Sequence, residues 1–422
     1  MGAKKNQFAI EDLADVHERC AGIDVHKESL SVCVIVPGAD GKAQGEVRQW
    51  GTTTRQLRKL REWLGEEGVT HVVMESTGVY WKPVWQILDD GQLHLLLANA
   101  GSVKNVPGRK TDQADCIWLA TLLRKGLVRG SFIPPAEVRA LRDLCRGRTT
   151  LIQQRSQIVL RIQKLLEEAN IKLDSVITDV MGVSGRAILE GLSEAETDPE
   201  KLAERAVPQL AGKLPQLIEA LEGKVLAHQR FILREWLRNY RCLTEQIEIF
   251  EREIEHYAIP FEAQIVLLDE IPGINRIAAV SILAETGVDM NTFPTAPQFC
   301  AWAGLCPGNN ETGGKRRKSR SRRGNRWLRG MLTQCAWAAS RKKTSYFHAQ
   351  YRKLVPHCGN KRTLIAVAHS ILNALWHMLR RNEPFRDLGA DYFDRLNAHT
   401  NQHKLVRKLE RLGFKVILQP AA

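Results

Sequence analysis

Two hydrophobic periods run along this chain, and the switch between them near residue 135 limits what it can fold into. From Cys20 to about residue 130, short β-branched runs alternate with amphipathic segments. "AGIDVHK" and "SLSVCVIV" read as strands joined by a polar turn, and "GEVRQWGT" as a third strand. "TTRQLRKLREWLGEEG" has the period of a helix, with Gly68 just beyond its end. "VTHVVMES" is a buried strand, "VYWKPVWQILDDG" a helix and "LHLLLAN" a short strand. The loop "AGSVKNVPGRK" leads to a closing helix, "TDQADCIWLATLLRKG", with Thr111 as its predicted N-cap. Three strands, a helix, then strand and helix in alternation is the order of a ribonuclease-H-like α/β domain, placed at residues 18–135.

Beyond that boundary the spacing becomes that of long helices. Leu144, Leu151, Ile158 and Leu165 recur every seven residues, and Trp236, Tyr240, Leu243, Ile247, Phe250, Ile254 and Tyr257 alternate steps of four and three. This is a coiled-coil seam in a helical region, 136–260, closed either within the chain or between subunits. Residues 261–383 read as a mostly helical domain. In it "LLDEIPGINRIAAVSILAETG" resembles a helix-hairpin-helix, whose turn can hold a phosphate. A polar tail, 384–422, follows. The expected class is therefore α/β plus all-α.

The net charge is +14, which favours a polyanionic partner through counterion release. Nine scattered cysteines with no CxxC pair argue against a zinc cage or a disulfide framework and fit reduced thiols. No apolar run reaches membrane-spanning length and the first 20 residues have no signal-peptide core, so a cytoplasmic protein with no membrane partner is expected.

Within the first domain four carboxylates stand out. Asp24 sits inside the first strand, where a charge between Ile23 and Val25 is costly without a partner. Glu75 ends the fourth strand. Asp112 and Asp115, three apart at the start of a helix, share one face. In a ribonuclease-H-like sheet the first and fourth strands are neighbours and the last helix crosses their ends, so the four converge. An oxygen-only set of this kind suits Mg²⁺ or Mn²⁺ rather than zinc. Read singly, Asp112 and Asp115 are also good first-turn acids, and Glu75 a loop carboxylate. His26 reads as a surface residue or a ligand's neighbour rather than a ligand. No P-loop is present, so no nucleotide-driven step is expected.

Taken together, "GIDVHKESLSV", "MESTGVYWKPVW", "VPGRKTDQADCIWLATLL" and the distal "FCAWAGLCPGNNETGGKRRK" with "RRGNRWLR" resemble the insertion-sequence one-ten family of DEDD transposases, over about residues 20–130 and 262–345. The resemblance implies a fold like that of Holliday-junction resolvases, with Asp24, Glu75, Asp112 and Asp115 as the catalytic, metal-binding tetrad. It implies a bacterial, nucleoid-associated enzyme acting as a dimer or tetramer on donor and target double-stranded DNA. A structured non-coding "bridge" RNA would guide it, and the active site would be shared between subunits.

The resemblance also implies a serine nucleophile in the second domain, and here the sequence departs from the pattern: Thr312 stands at that place, in "NNETGG". Its hydroxyl can attack phosphorus, though the extra methyl crowds the approach. Ser319 and Ser321 are the nearby alternatives. Lys315, Arg316, Arg317, Lys318, Arg320, Arg322 and Arg323 would hold nucleic-acid backbone, joined by Arg326 and Arg329 on one helix face. Trp327 reads as a core anchor or as a base-stacking platform. The function expected is RNA-guided DNA recombination. A two-metal nuclease without a covalent intermediate and a non-catalytic binding remnant are the alternatives.

Overall fold

The computed structural model describes residues 13–39, 42–75, 78–99, 115–308, 311–312, 315–316, 321, 324–396 and 398–417. The chain divides into two compact units, 1–133 and 134–422. The first contains β1 (Cys20–Val25), β2 (Ser29–Pro37), β3 (Ala43–Gly51), α1 (Thr54–Glu66), β4 (His71–Glu75), α2 (Trp81–Leu88), β5 (His94–Ala98) and α3 (Asp115–Arg124). The strands form one sheet in the order β3-β2-β1-β4-β5. The first three are antiparallel, while β1, β4 and β5 run parallel. This is the mixed sheet of a ribonuclease-H-like domain, with β1 and β4 side by side as expected. Thr111 lies outside the described residues.

Alternation along the strands sorts their side chains onto two faces. Ala21, Ile23, Val72 and Met74 pack with Leu57, Leu60 and Leu64 of α1 and Val84 and Leu88 of α2. On the opposite face Cys20, Cys33 and Val73 pack with Cys116, Leu119, Ala120 and Leu123 of α3. That second contact needs a residue without a side chain beneath the helix. A Cβ on Gly22 would lie 2.3 Å from the Cys116 carbonyl oxygen and 2.4 Å from the Ala120 nitrogen.

At the other end of the parallel strands, His71 stacks between His17 and His94, at 3.9 and 4.8 Å between ring centroids. Burial, and then the two neighbouring rings, hold the His71 imidazole below its ordinary value of 6.5.

The second unit is helical. The long α4 (Ala136–Glu168) is followed by α5 (Leu173–Val176), α6 (Val183–Ser193), α7 (Pro199–Glu204) and α8 (Leu214–Ala220), then by the long α9 (Ala227–Ala258). Arg148 bonds Glu251 and Arg155 bonds Thr244, so residue numbers fall along α9 as they rise along α4: the pair is antiparallel. Ile158, Leu165, Leu243, Ile247 and Ile254 are buried, with Leu151, Trp236 and Tyr240 packed beside the central core. The seven-residue seam thus closes within the chain as a hairpin. Only its last residue, Tyr257, turns out, at 40% exposed.

Next come α10 (Glu262–Asp269), α11 (Arg276–Thr286), α12 (Ala296–Trp302), β6 (Glu311–Thr312), β7 (Lys315–Arg316), α13 (Arg326–Ala339), α14 (Tyr346–Cys358), α15 (Asn360–Arg381), α16 (Tyr392–Leu396) and α17 (Ala398–Arg411). The turn between α10 and α11 serves packing: Ile271 and Ile274 are buried, and Asn275 caps α11 by accepting from the Ala278 N–H. Arg276, at the head of α11, is engaged by Glu255 and Glu262. Residues of the tail pack on the helices before it, with Phe385 stacked on Phe347 and Phe393 on Tyr346.

Two outcomes follow for the first unit. Gly22→Val should lower its stability by about 1–3 kcal/mol, the usual range for overpacking, read as a lower denaturant midpoint. An unchanged midpoint would mean that α3 does not lie on β1 so closely. Because the folded His71 value is depressed, its contribution is complete above 6.5 and is lost as pH falls through the lower folded value. Protection of the β4 amides, taken relative to the intrinsic exchange rate at each pH, should therefore fall as pH drops below 6.5, and His71→Gln should flatten that dependence.

Candidate active site

The close seat of α3 places the carboxylates. Two residues on from Gly22, Asp24 projects to the same face of β1, the face that α3 covers. Gly22 is registered with Val73 of β4, and Glu75 lies two residues beyond Val73. Asp24 and Glu75 thus stand at the carboxyl ends of adjacent parallel strands on one face, the edge where open α/β sheets bind ligands. Along α3, Ala120 lies over Cys20 and Gly22, and Cys116 over Gly22, so the helix runs back against β1. Its first residue, Asp115, therefore comes to the Asp24 end.

The fields of Asp24 and Asp115 meet at Cys116, whose thiol is pushed up first by burial and then by both carboxylates. Asp24 is 15% exposed, and the exposed His26 sits with Nε2 3.1 Å from Asp24 Oδ2. Asp112 lies outside the described residues. Among the described residues no group of three or more His, Cys, Asp or Glu is gathered closely enough to hold a metal ion. In donor chemistry the three carboxylates fit a hard divalent cation, being oxygen ligands only.

In the second unit, Thr312 lies in β6 and pairs with Lys315 of β7, while Glu311 pairs with Arg316. Arg317, Lys318, Ser319, Arg320, Arg322 and Arg323 lie outside the described residues. Ser321 bridges to Pro307, bringing the two stalks of this basic loop together. A Cβ on Gly324 would lie 2.4 Å from the Gly304 nitrogen, so the stalks stay in contact down to α13. Arg326 and Arg329 stand in the first turn of α13. Trp327 is half-buried between two guanidinium groups, Arg326 at 4.7 Å and Arg146 at 5.7 Å from its ring.

The sequence reading missed the group that anchors this loop. Glu285, near the end of α11, is 3% exposed. Arg146 donates to both of its carboxylate oxygens at 2.7 Å, and the Asn325 amide donates to Oε2 at 2.5 Å. Arg142 donates to the carbonyls of Ala284 and Glu285, at 2.9 and 2.7 Å. Burial presses the Arg142 guanidinium down to about 10, against the opposing field of Glu285. Asn325 also caps α13, its Oδ1 accepting from the N–H groups of Trp327 and Leu328. One carboxylate thus joins α4, α11 and the foot of the basic loop. The sequence signal was a lone acid in the small apolar run "AAVSILAETG", the same kind of signal that drew attention to Asp24.

Residues 21–171 match the family model of the IS110-type DEDD transposases, and residues 266–352 match the transposase IS116/IS110/IS902 family. The two matches together cover more than half of the chain. This chain belongs to the IS110 family of transposases. As such it is an enzyme that cuts and recombines DNA.

The transposase is 26% identical over 340 residues to the "Probable family 20 transposase" of Pseudomonas aeruginosa, a match covering 79% of this chain and 91% of that one. It is 24% identical over 396 residues to the "Transposase for insertion sequence element IS1111A" of Coxiella burnetii, covering 91% and 94%. Among solved structures it resembles RuvC of T. thermophilus in complex with a Holliday junction substrate. That match has 17% identity, covers 27% of this chain and 100% of that one, and has a TM-score of 0.20. Strand order and register define the fold of the first unit.

Removing Glu285 would leave the partly exposed guanidinium groups of Arg142 and Arg146 without their counter-charge. Glu285→Ala should cost about 1–3 kcal/mol in the second unit, and Asn325→Ala about 1 kcal/mol or more through its cap. Urea unfolding would read both. A Glu285→Ala midpoint at the wild-type value would remove the clamp from the account of the loop.

Proposed function

We propose that this transposase recombines DNA through the Thr312 hydroxyl, with Asp24, Glu75, Asp112 and Asp115 as its metal-binding carboxylates and a structured RNA choosing donor and target sites. The observation that most supports the reading is the placement of Asp24 and Glu75. They sit at the carboxyl ends of neighbouring parallel strands, on the face where α3 begins with Asp115. A divalent cation, Mg²⁺ or Mn²⁺, held there would supply neutralising charge to the phosphodiester being cut.

In the second unit Thr312 belongs to a strand pair, in register with Lys315. Attack by Thr312 Oγ1 on phosphorus forms a threonine phosphoester and breaks the bond to the 3′-oxygen. The hydroxyl proton is given up and the departing oxygen takes one on. The phosphoester conserves the broken bond, so the reverse step rejoins a strand without an external energy source. Lys315, Arg316, Arg317, Lys318, Arg320, Arg322 and Arg323 would hold the backbone and offset charge building on the phosphate, with Arg326 and Arg329 at the loop's foot. The RNA requirement and the dimer or tetramer follow from the family resemblance.

The test is a denaturing gel of the full protein with Mg²⁺, labelled donor and target DNA, and its flanking RNA. A label at protein mass is expected. Thr312→Val should lower it roughly a thousandfold or more, Thr312→Ser should keep it and Asp24→Ala should lose it. Leaving out the RNA should abolish site choice. Cut DNA without an adduct would make the enzyme a water-using nuclease. An adduct that survives Thr312→Val would move the nucleophile to Ser319 or Ser321.

A further inference from the structure

The positive excess of this chain is confined to one stretch. Of its 61 Lys and Arg, 18 lie between Thr312 and Asn382, where there is no Asp or Glu; the remaining 43 are outnumbered by the 47 acids. The basic loop holds only seven of the 18. The fold carries seven more along α13, the turn after it and α14, and the last four lie on α15.

The exposed positions of α13 include Arg326, Gly330, Gln334 and Trp337, and Arg341 continues them in the turn that follows. They recur at intervals of three and four and so line one side of the helix. Trp337 is 43% exposed, with the Arg341 guanidinium 4.9 Å over its ring. Gly330 leaves a flat place midway, since a Cβ there would meet nothing within 4 Å.

Past this helix, Lys343, His348, Arg352 and Lys353 line a cleft of about 910 Å³, bounded by Phe393 and Asp394 of α16. Lys353 Nζ lies 4.2 Å from the Phe393 ring centre. His348 is held in place by its Nδ1 contact of 2.5 Å with the Ser340 carbonyl oxygen. Three permanent cations against a single carboxylate, beside an aromatic wall, suit a phosphate chain rather than a neutral ligand.

We propose that the exposed face of α13 and this cleft form one track for the sugar–phosphate backbone of a nucleic acid, leading away from the basic loop, with Lys343, Arg352 and Lys353 holding its far phosphates. A helix of 14 residues is about 21 Å long, enough for about six base pairs at ~3.4 Å each. The inference rests on the enzyme's action on DNA and not on which hydroxyl attacks. The acid-free composition supplies the charge, and the fold turns it into a groove.

The experiment uses the full-length protein and reads fluorescence anisotropy against salt with two probes, a labelled DNA duplex and a labelled structured RNA. A variant carrying Lys343→Gln, Arg352→Gln and Lys353→Gln is compared with a control carrying Lys164→Gln, Lys201→Gln and Arg238→Gln, three exposed cations of the helical region. The cleft variant should bind at least about tenfold more weakly, and its slope of log affinity against log salt should fall by roughly 2 to 3. Its melting temperature should match the wild type, since the substituted residues are exposed. Loss with the duplex alone assigns the track to DNA, loss with the RNA alone assigns it to the RNA, and loss with both assigns it to either strand. Slopes equal to the control's with both probes would overturn the proposal. Thr312 and the carboxylates are untouched in these variants, so a failure of the adduct assay leaves this result readable.

Discussion

A carboxylate almost wholly removed from water must be matched by charge and hydrogen bonds, and Glu285 places that demand on the whole second unit. Its partners come from segments far apart in sequence: Arg146 from the long helix α4 and Asn325 from the head of α13. None of these groups can move alone without stranding a buried charge. Apolar packing holds the long hairpin and the helices around it, but packing is tolerant of small shifts. A bidentate ion pair is not, and this one lies at the foot of the loop that carries Thr312 and the basic residues.

The first unit solves a related problem with an absence instead of a bond. Gly22 lets α3 settle onto β1 until backbone nearly touches backbone. The helix start is thereby delivered to the strand ends, so the site is assembled by packing before any ligand arrives. Its carboxylates stay near the surface of the sheet edge while the thiols of Cys20, Cys33 and Cys116 lie in the layer beneath. Burial pushes the Cys20 thiol up to about 11 and that of Cys33 to about 12. They remain protonated and inert at neutral pH, which suits a structural role.

Much of this was legible before folding. Period-two runs and the order of the elements pointed to the mixed sheet, and Asp24 drew attention because a charge inside an apolar strand needs a reason. The seven-residue seam was equally plain, but a seam states only that two helices want to meet. Whether they belong to one chain was decided when Arg148 met Glu251 and the helices closed on themselves. Glu285 was overlooked because the helix around it reads as a plain run of small apolar residues, and its partners lie about 140 residues back and 40 ahead. Gly22 was overlooked for a similar reason: a glycine in a strand announces a close approach only when its neighbour is known.

By itself, the sequence determined the kinds of element, their order, the chemistry of the oxygen donors and the confinement of positive charge to a single acid-free stretch. These are properties of composition and local period, which residues express wherever they sit. Only the tertiary structure decided that the seam is internal, that one buried glutamate fixes the base of the loop, that Gly22 seats the closing helix, and that distant cations line a common cleft. Each of these is a contact between segments remote in sequence. Such contacts are set by which faces exclude water together, a quantity no local stretch of residues contains.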